Sequence, residues 1–429
     1  MRALSGSFQR EKQMDARETY KVAGIDVHKK MLAVVVTDAA AVGEFQFERQ
    51  RFGAGSAELK KLGEWLTEQG VEEVVMESTA QYWKPVWQSL EEQFELQLAQ
   101  AHSNRAPQGR KRDFTDAERL VRRYVAGELI LSFVPGAEQR MWRMLTRTQK
   151  QLGRDRVRLQ NQLEGYLEQI RIKLSSHVSD LLGLSARRMV QALAEGETEP
   201  GKIAALAVKG LRAGRGELED ALSAARALST LQRGILKLFL ERLDLLDRQI
   251  ETLQKQTAEA LREHQDAVCR LAEVPGLGAG SAHQIIAEVG PKAATFPSAA
   301  HMASWVGCCP GREESAEVSA SDRSPKGNRN LRHVLAQAAN AAVKAKGSVF
   351  EVRYRRLVGR LGHFKAIWAV AHSICRIAWK ILHEGVRYEE RGLRTNPAAV
   401  RKTADRLVRM LRRLGYDAQI TPRTGDATA

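Results

Sequence analysis

Cysteine is scarce in this chain. The four present, Cys269, Cys308, Cys309 and Cys375, include no C-x-x-C pair, which excludes a zinc ribbon and leaves no disulfide framework. Long apolar runs are missing as well, so no membrane span or anchor is expected. The first residues carry charges without an apolar stretch behind them, unlike a secretory leader. A reducing, cytoplasmic setting is the expectation. Acid is the last shortage: 51 Asp and Glu face 67 Lys and Arg, a net charge of +16. That excess asks for a polyanionic partner, with nucleic acid ahead of a membrane surface.

A chain of 429 residues can bury two or three separate cores. Residues 1–19 are polar and aperiodic, a lead expected to lack order. Lys21 to Val27 and the apolar run Met31 to Asp38 then read as two strands joined by a tight turn. The alternation from Val42 to Arg49 predicts a third. Ala57 to Gln69 is amphipathic and stops at Gly70, a helix end. A strand over Val71–Thr79, a helix over Tyr82–Gln93 and a strand over Phe94–Ala101 follow. A basic, Gly-containing loop, Asn104 to Lys111 and Arg112, leads into a helix that opens on Asp113-Phe-Thr-Asp116. Strand, strand, strand, helix, strand, helix, strand, helix is the order of an RNase H-like α/β domain, here expected over 20–135.

The acids fit that order. An aspartate inside an apolar strand is costly to bury unless it is paired or holds a metal, and Asp26 is such a residue. Glu77 closes another strand. Asp113 and Asp116, three apart at a helix start, project from one face. Meeting at one sheet edge, the four carboxylates would suit a hard divalent ion such as Mg²⁺. Two such ions would bracket a phosphodiester. Taken singly, each acid has a plainer use, as a turn cap, a helix N-cap, a dipole partner or a surface strand end.

Residues 136–265 read as almost wholly helical. Leu152, Arg156, Leu159, Leu163, Tyr166 and Ile170 keep a heptad-like spacing flawed by Arg156. Phe239, Leu243, Leu246, Ile250, Leu253, Thr257 and Ala260 keep it better, and the two stretches predict an antiparallel coiled coil. Gly196 to Gly216 would form its tip or an inserted piece. Arg154, Arg156, Arg158, Arg171 and Lys173 offer either phosphate contacts or a solvated basic face.

At 266–390 a smaller α-domain is expected. Val274-Pro-Gly276-Leu-Gly278-Ala-Gly280 breaks one helix and starts another, the logic of a helix-hairpin-helix whose amides grip phosphate. A Ser-rich loop with Ser315, Ser319, Ser321 and Ser324 comes next, and spacing alone marks none of them as a nucleophile. Lys326, Asn328, Arg329 and Arg332 form a basic helix start suited to nucleic acid. Helices over 350–361 and 365–382 complete the domain, before a basic tail at 391–429.

Gly24-Ile-Asp26-Val-His-Lys29, Met76-Glu77-Ser-Thr79, Asp113-Phe-Thr-Asp116, Val274-Pro-Gly-Leu-Gly278 and Cys309-Pro-Gly-Arg-Glu-Glu-Ser315, with Lys326-Gly-Asn328 and Leu331-Arg332, occur in that order. As an ordered set they resemble the transposases of the one-ten insertion-sequence family, bridge-RNA-guided DEDD recombinases. The resemblance implies a RuvC-like N-terminal domain, a coiled-coil linker and a C-terminal transposase domain. It maps the metal-binding, catalytic acids onto Asp26, Glu77, Asp113 and Asp116, and the nucleophile onto Ser315. It also implies Mg²⁺ or Mn²⁺ as cofactor, donor and target DNA and a structured guide RNA as partners, and a tetramer or dimer of dimers. The setting it implies is the prokaryotic nucleoid. Two departures stand out: Ala316 replaces the usual glycine after the serine, and Ser319 to Ser324 replaces a basic segment. Ser319 and Ser321 therefore stay open beside Ser315. Two other readings compete: a metal-dependent nuclease or junction resolvase using water, and a non-catalytic RNA- and DNA-binding scaffold.

Overall fold

A computed structural model describes residues 20–40, 44–77, 80–101, 103–104, 113–208, 211–309, 314–315, 318–319, 324–390, 397–413 and 417. Two compact units divide between Ala137 and Glu138. The first is a mixed α/β sheet domain and the second is almost wholly helical.

In the first unit, β1 (Lys21–Val27), β2 (Met31–Asp38), β3 (Glu48–Gly53), β4 (Glu73–Glu77), β5 (Glu95–Ala99) and β6 (Leu131–Ser132) form one sheet. Its order is β3-β2-β1-β4-β5-β6. β1 pairs antiparallel with β2 and parallel with β4, and β5 continues the parallel pairing. The third strand starts later than its sequence suggests. Phe45 and Phe47 precede it, packing beside the second core and under the Arg122 guanidinium, and pairing begins only at Val36 with Glu48. The short antiparallel β6 was not expected.

Alternation along the strands sorts side chains onto two faces. Ala23, Ile25, Val27, Val74 and Met76 face one core, which is covered by α1 (Ser56–Glu68) and α2 (Trp83–Leu90). Val22 and Val75 face the other core, closed by Ala117, Leu120, Val121 and Tyr124 of α3 (Asp113–Val125). Gly24, Asp26, Glu73 and Glu77 share the parity of this second face. At the far end of α3, the Tyr124 hydroxyl donates to the buried Glu73 carboxylate.

In the second unit, α4 (Ala137–Gln169) and α8 (Thr230–Ala260) are its long helices. They run antiparallel: Arg156 Nε lies 2.6 Å from Asp247 Oδ1 and Tyr166 Oη donates to Gln232 O at 3.1 Å. Arg156, the apparent flaw in the apolar spacing, thus forms a cross-helix ion pair. Arg158 and Lys173 are likewise engaged, with Asp155 and Glu168. Leu159, Leu163 and Leu167 meet Leu236, Leu240 and Leu243 in a core shared with the intervening helices. Those are α5 (Leu184–Glu195), α6 (Pro200–Ala204) and α7 (Arg215–Ala221). The glycine-rich stretch is therefore part of a packed helical cap.

The other end of α4 enters a separate core through Trp142. That core is built by α9 (Gln265–Ala272), α10 (Ala279–Val289), α11 (Ala299–Val306), α12 (Arg329–Ala342) and α13 (Val349–Glu384). α13 breaks at Gly362, φ +74°, between the two helices expected there. A last helix, α14, covers Pro397–Arg413. Among the described residues no helix is long and apolar enough to cross a membrane.

A buried carboxylate ties α4 to this core. Glu288, at the end of α10 and 2% exposed, accepts from Arg147 Nε at 2.9 Å and Nη2 at 2.8 Å. It also accepts from Asn328 Nδ2 at 2.7 Å, with Arg143 Nε 3.6 Å away. Burial by itself would raise this carboxyl, but the two arginines and Asn328 hold it below the usual range. Its charge thus favours the folded state above the ordinary carboxylate range, and that contribution fades as pH falls through the lowered value. Glu288→Ala leaves Arg143 and Arg147 uncompensated and should cost roughly 3–5 kcal/mol. Denaturant unfolding of the full chain, followed through the helical unit, measures it.

Candidate functional site

Asp26 sits near the end of β1. Neighbouring Ile25 pairs with Met76, so the next residues, Asp26 and Glu77, end adjacent parallel strands on the α3 side of the sheet. α3 starts there and supplies Asp113 and Asp116 in its first turn, where the helix dipole favours negative charge.

Gly24 allows this approach. A Cβ at that position would lie 2.5 Å from Val121 Cγ2 and 2.7 Å from the Ala117 carbonyl oxygen. The helix backbone therefore rests directly on β1, two residues before Asp26, and only glycine leaves room for it.

Each acid has an identifiable neighbour. His28 Nε2 lies 3.1 Å from Asp26 Oδ2 and 3.7 Å from Asp113 Oδ1. Arg51 Nη2 is 3.5 Å from Asp113 Oδ2, and Arg119 Nη2 donates to Asp116 Oδ1 at 2.6 Å. Asn104 Nδ2 donates to Glu77 Oε2 at 2.8 Å. Burial pushes the Asp26 carboxyl above its ordinary value; His28 pulls it down, while Asp116, Glu77 and Asp113 push it up again. The four acids thus share one electrostatic field. Ligand atoms of Asp26, His28 and Asp113 all lie within 4.8 Å of one another, close enough to hold one cation.

His28, Asn104 and Arg51 did not stand out in the sequence as members of this cluster. The available signal for His28 was its place two residues after Asp26, at the turn. Asn104 opens the basic loop and is 3% exposed; its Oδ1 is buried with no partner among the described residues. Nothing local in the sequence separates it from an ordinary loop asparagine.

In the helical unit, Glu314–Ser315 (β7) and Val318–Ser319 (β8) pair antiparallel, Ser315 with Val318 and Glu314 with Ser319. Ser321, Lys111 and Arg112 lie outside the described residues. Lys326 and Arg329 are exposed. Asn328 caps α12, accepting from Asn330 N and Leu331 N, while its amide holds Glu288.

Two residues expected at nucleic acid make close contacts within the protein. Gly276, φ +87°, is pressed against α12, where a Cβ would lie 2.2 Å from the Ala338 carbonyl oxygen. Arg332 Nη1 donates to the carbonyls of Gly307 and Pro325, and its guanidinium stacks 4.5 Å from the Trp368 ring centroid. A Cβ at Gly278 or Gly280 would meet nothing within 4 Å.

A carboxylate-lined sheet edge, joined in one chain to a helical unit, defines a two-part protein of the acid-cluster α/β class. The comparisons give the family. Residues 23–172 match the family model for the DEDD transposase of IS110 type, and 269–355 match the model described as transposase IS116/IS110/IS902 family. A stretch of 122 residues is 28% identical to the insertion element IS110 uncharacterized 43.6 kDa protein of Streptomyces coelicolor, covering 28% of this chain and 30% of that protein. The alignment thus spans under a third of that relative's length. The chain belongs to the IS110 family of transposases.

Gly24→Val should force α3 off β1 and destabilise the sheet unit by about 1–3 kcal/mol. The separation of the acids should cost more in metal affinity than in stability. Thermal unfolding and Mn²⁺ titration of the same protein read the two effects.

Proposed function

We propose that this chain cuts and rejoins DNA as an RNA-guided recombinase of its insertion sequence. In this reading the sheet unit is an RNase H-like, RuvC-like domain, supported by its strand order and by α3 on the acid face. The observation that carries the proposal is the convergence of Asp26, Glu77, Asp113 and Asp116 from β1, β4 and α3 into one electrostatic field.

The donor set fits a divalent cation. Carboxylate oxygens suit Mg²⁺ or Mn²⁺, and the partly buried Asp26 carries three acidic neighbours with only His28 pulling the other way. Bound there, the metal would supply electrostatic neutralisation of charge developing on a scissile phosphate. The four acids would hold and orient it, with ligand atoms of Asp26, Asp113 and His28 within 4.8 Å of one another. Asn104 and Arg119 fix the Glu77 and Asp116 carboxylates, and Arg51 and His28 hold the side facing β3 and the β1–β2 turn.

Ser315 is the proposed nucleophile. Its oxygen attacks phosphorus, the P–O3′ bond breaks, and a 5′-phosphoserine ester and a free 3′-hydroxyl result. The serine gives up its proton and the departing oxygen takes one. Because the ester keeps the phosphodiester bond energy, a new 3′-hydroxyl can displace the serine without ATP. A serine hydroxyl is a weak nucleophile and needs activation; in this reading it is activated in a composite site assembled in a tetramer, or dimer of dimers.

The net charge of +16 suits donor and target DNA held with a structured guide RNA, base pairing choosing the sequence and protein holding the backbone. Gly278 and Gly280 at the start of α10, with exposed Lys326 and Arg329, are the proposed backbone contacts, in the manner of a helix-hairpin-helix. α4 and α8 would act as the coiled-coil spacer.

The same acids could instead activate water, as in a nuclease or resolvase. Ser315→Ala separates the two readings. It should abolish covalent protein–DNA adducts and recombinant product while DNA binding persists. Continued recombination in that variant, with adducts at the unaltered level, would sink the serine mechanism, and cutting without adducts in both proteins would support water. Asp26→Asn should remove cleavage by either route, a loss of at least about 100-fold, with RNA binding kept. A non-catalytic scaffold would show no change.

A further inference from the structure

The strand pair that includes Ser315 lies in the chain between two segments that together form a base tied shut. α11 ends at Gly307, φ +76°, and α12 begins after Asn328, so residues 305–308 and 324–328 are the two sides of that base. Their backbones touch: a Cβ on Gly327 would lie 2.1 Å from the Val306 carbonyl oxygen, and one on Gly307 2.5 Å from that of Pro325. Asn328 N donates across the gap to Trp305 O at 3.3 Å.

One side chain spans both sides. Arg332 Nη1 donates to Gly307 O on the incoming side and to Pro325 O, at 3.1 Å, on the outgoing one. The guanidinium lies over Trp368 of α13, 4.5 Å from the ring centroid. Trp368 Nε1 in turn donates to Ser324 Oγ at 2.9 Å. The outgoing side is also held from behind, since Asn328 caps α12 and binds the buried Glu288.

We infer that Arg332, stacked on Trp368, is a positioning residue that fixes how the Ser315 hairpin leaves the C-terminal unit. This rests on the reading of Ser315 as the nucleophile. A guanidinium is needed for the task. It is planar, so it can stack on the indole while its edge bonds two carbonyls, whereas a lysine offers a point charge with no plane to stack. A nucleophile must meet its phosphate within a narrow range of distance and angle, and loosening its support by an ångström can cost about 100-fold in rate. The charge of Arg332 is spent on the protein's own carbonyls and ring, which makes it a poor candidate for the phosphate contact its place in a basic helix start suggests.

Arg332→Lys tests the assignment with three measurements on the full-length protein. Amide exchange in peptides spanning 309–323 should rise while α10 and α12 keep their protection. The rate of covalent adduct formation by pre-bound DNA should fall roughly 100-fold, with DNA affinity within about twofold, since only a lost phosphate contact would weaken binding and its salt dependence together. Unchanged exchange in 309–323 would overturn the clamp. So would a loss confined to DNA affinity, which would make Arg332 a phosphate contact. Should Arg332→Lys fold poorly, Trp368→Phe keeps a smaller ring under the cation and removes the bond to Ser324. It should move exchange and adduct rate in the same direction by less, and no movement in either would count against the clamp. Ser315→Ala run alongside keeps the two ideas apart. Adducts persisting in it would refute the serine reading, while exchange in 309–323 judges the clamp regardless.

Discussion

The close packing of α3 on β1 at Gly24 is the contact on which the sheet unit's acid cluster depends. α3 carries two acids in its first turn and an apolar stripe of Ala117, Leu120, Val121 and Tyr124 behind them. Burying that stripe against Val22, Val35 and Val75 drags Asp113 and Asp116 toward Asp26 and Glu77. Hydrophobic burial is thus opposed by the repulsion it creates. The opposing force is visible in Asp26, whose carboxyl is pushed up by burial and by its three acidic neighbours. Tyr124 on Glu73 pins the opposite end of the helix, and Arg49 on Glu118 at 2.6 Å pins its flank, so the helix cannot relieve the strain by sliding away.

The helical unit is organised differently, by polar ties between apolar cores. Its two cores lie at opposite ends of the α4–α8 pair. Between them Arg156 and Arg187 converge on Asp247, which fixes the register of the long helices where apolar packing is thinnest. Arg143 and Arg147 of α4 reach Glu288, and Glu288 reaches Asn328 at the start of α12. A change in the direction of α4 would therefore be felt at the base of the Ser315 hairpin through two consecutive charge-assisted links, arginine to Glu288 and Glu288 to Asn328.

Much of the sheet unit was legible because strand alternation and the acids point the same way. Asp26 and Glu77 flanked by apolar residues of the opposite face leave little choice of side, and Asp113 and Asp116 at a helix start leave little choice of end. The helices expected over 350–361 and 365–382 leave a gap that holds Gly362, where the helix breaks. What local pattern could not carry were the long-range partners. Arg156 looked like a defect because Asp247 lies 91 residues away. Arg332 looked like a phosphate ligand because its neighbours are basic, yet its partners are carbonyls brought to it by glycines at 307 and 327. Gly276 has a turn-former's spacing and a packing residue's surroundings. His28 and Asn104 join the acid cluster only through the turn and the loop that deliver them.

Two buried carboxylates show how function and architecture separate on physical grounds. Glu288 is the more deeply buried, and yet its carboxyl is held low, because two guanidiniums and an amide meet it from within the same unit. Asp26 is held high by burial first, and then by Asp116, Glu77 and Asp113, with His28 alone pulling it down. Folding has compensated the first charge more fully than the second. A carboxylate whose partners are complete can only hold structure together, whereas one kept in electrostatic deficit by a rigid sheet and a pinned helix has free energy to give to an incoming ion. That asymmetry, more than the count of acids, is why the edge of β1 and β4 is the place where chemistry on phosphate would be expected.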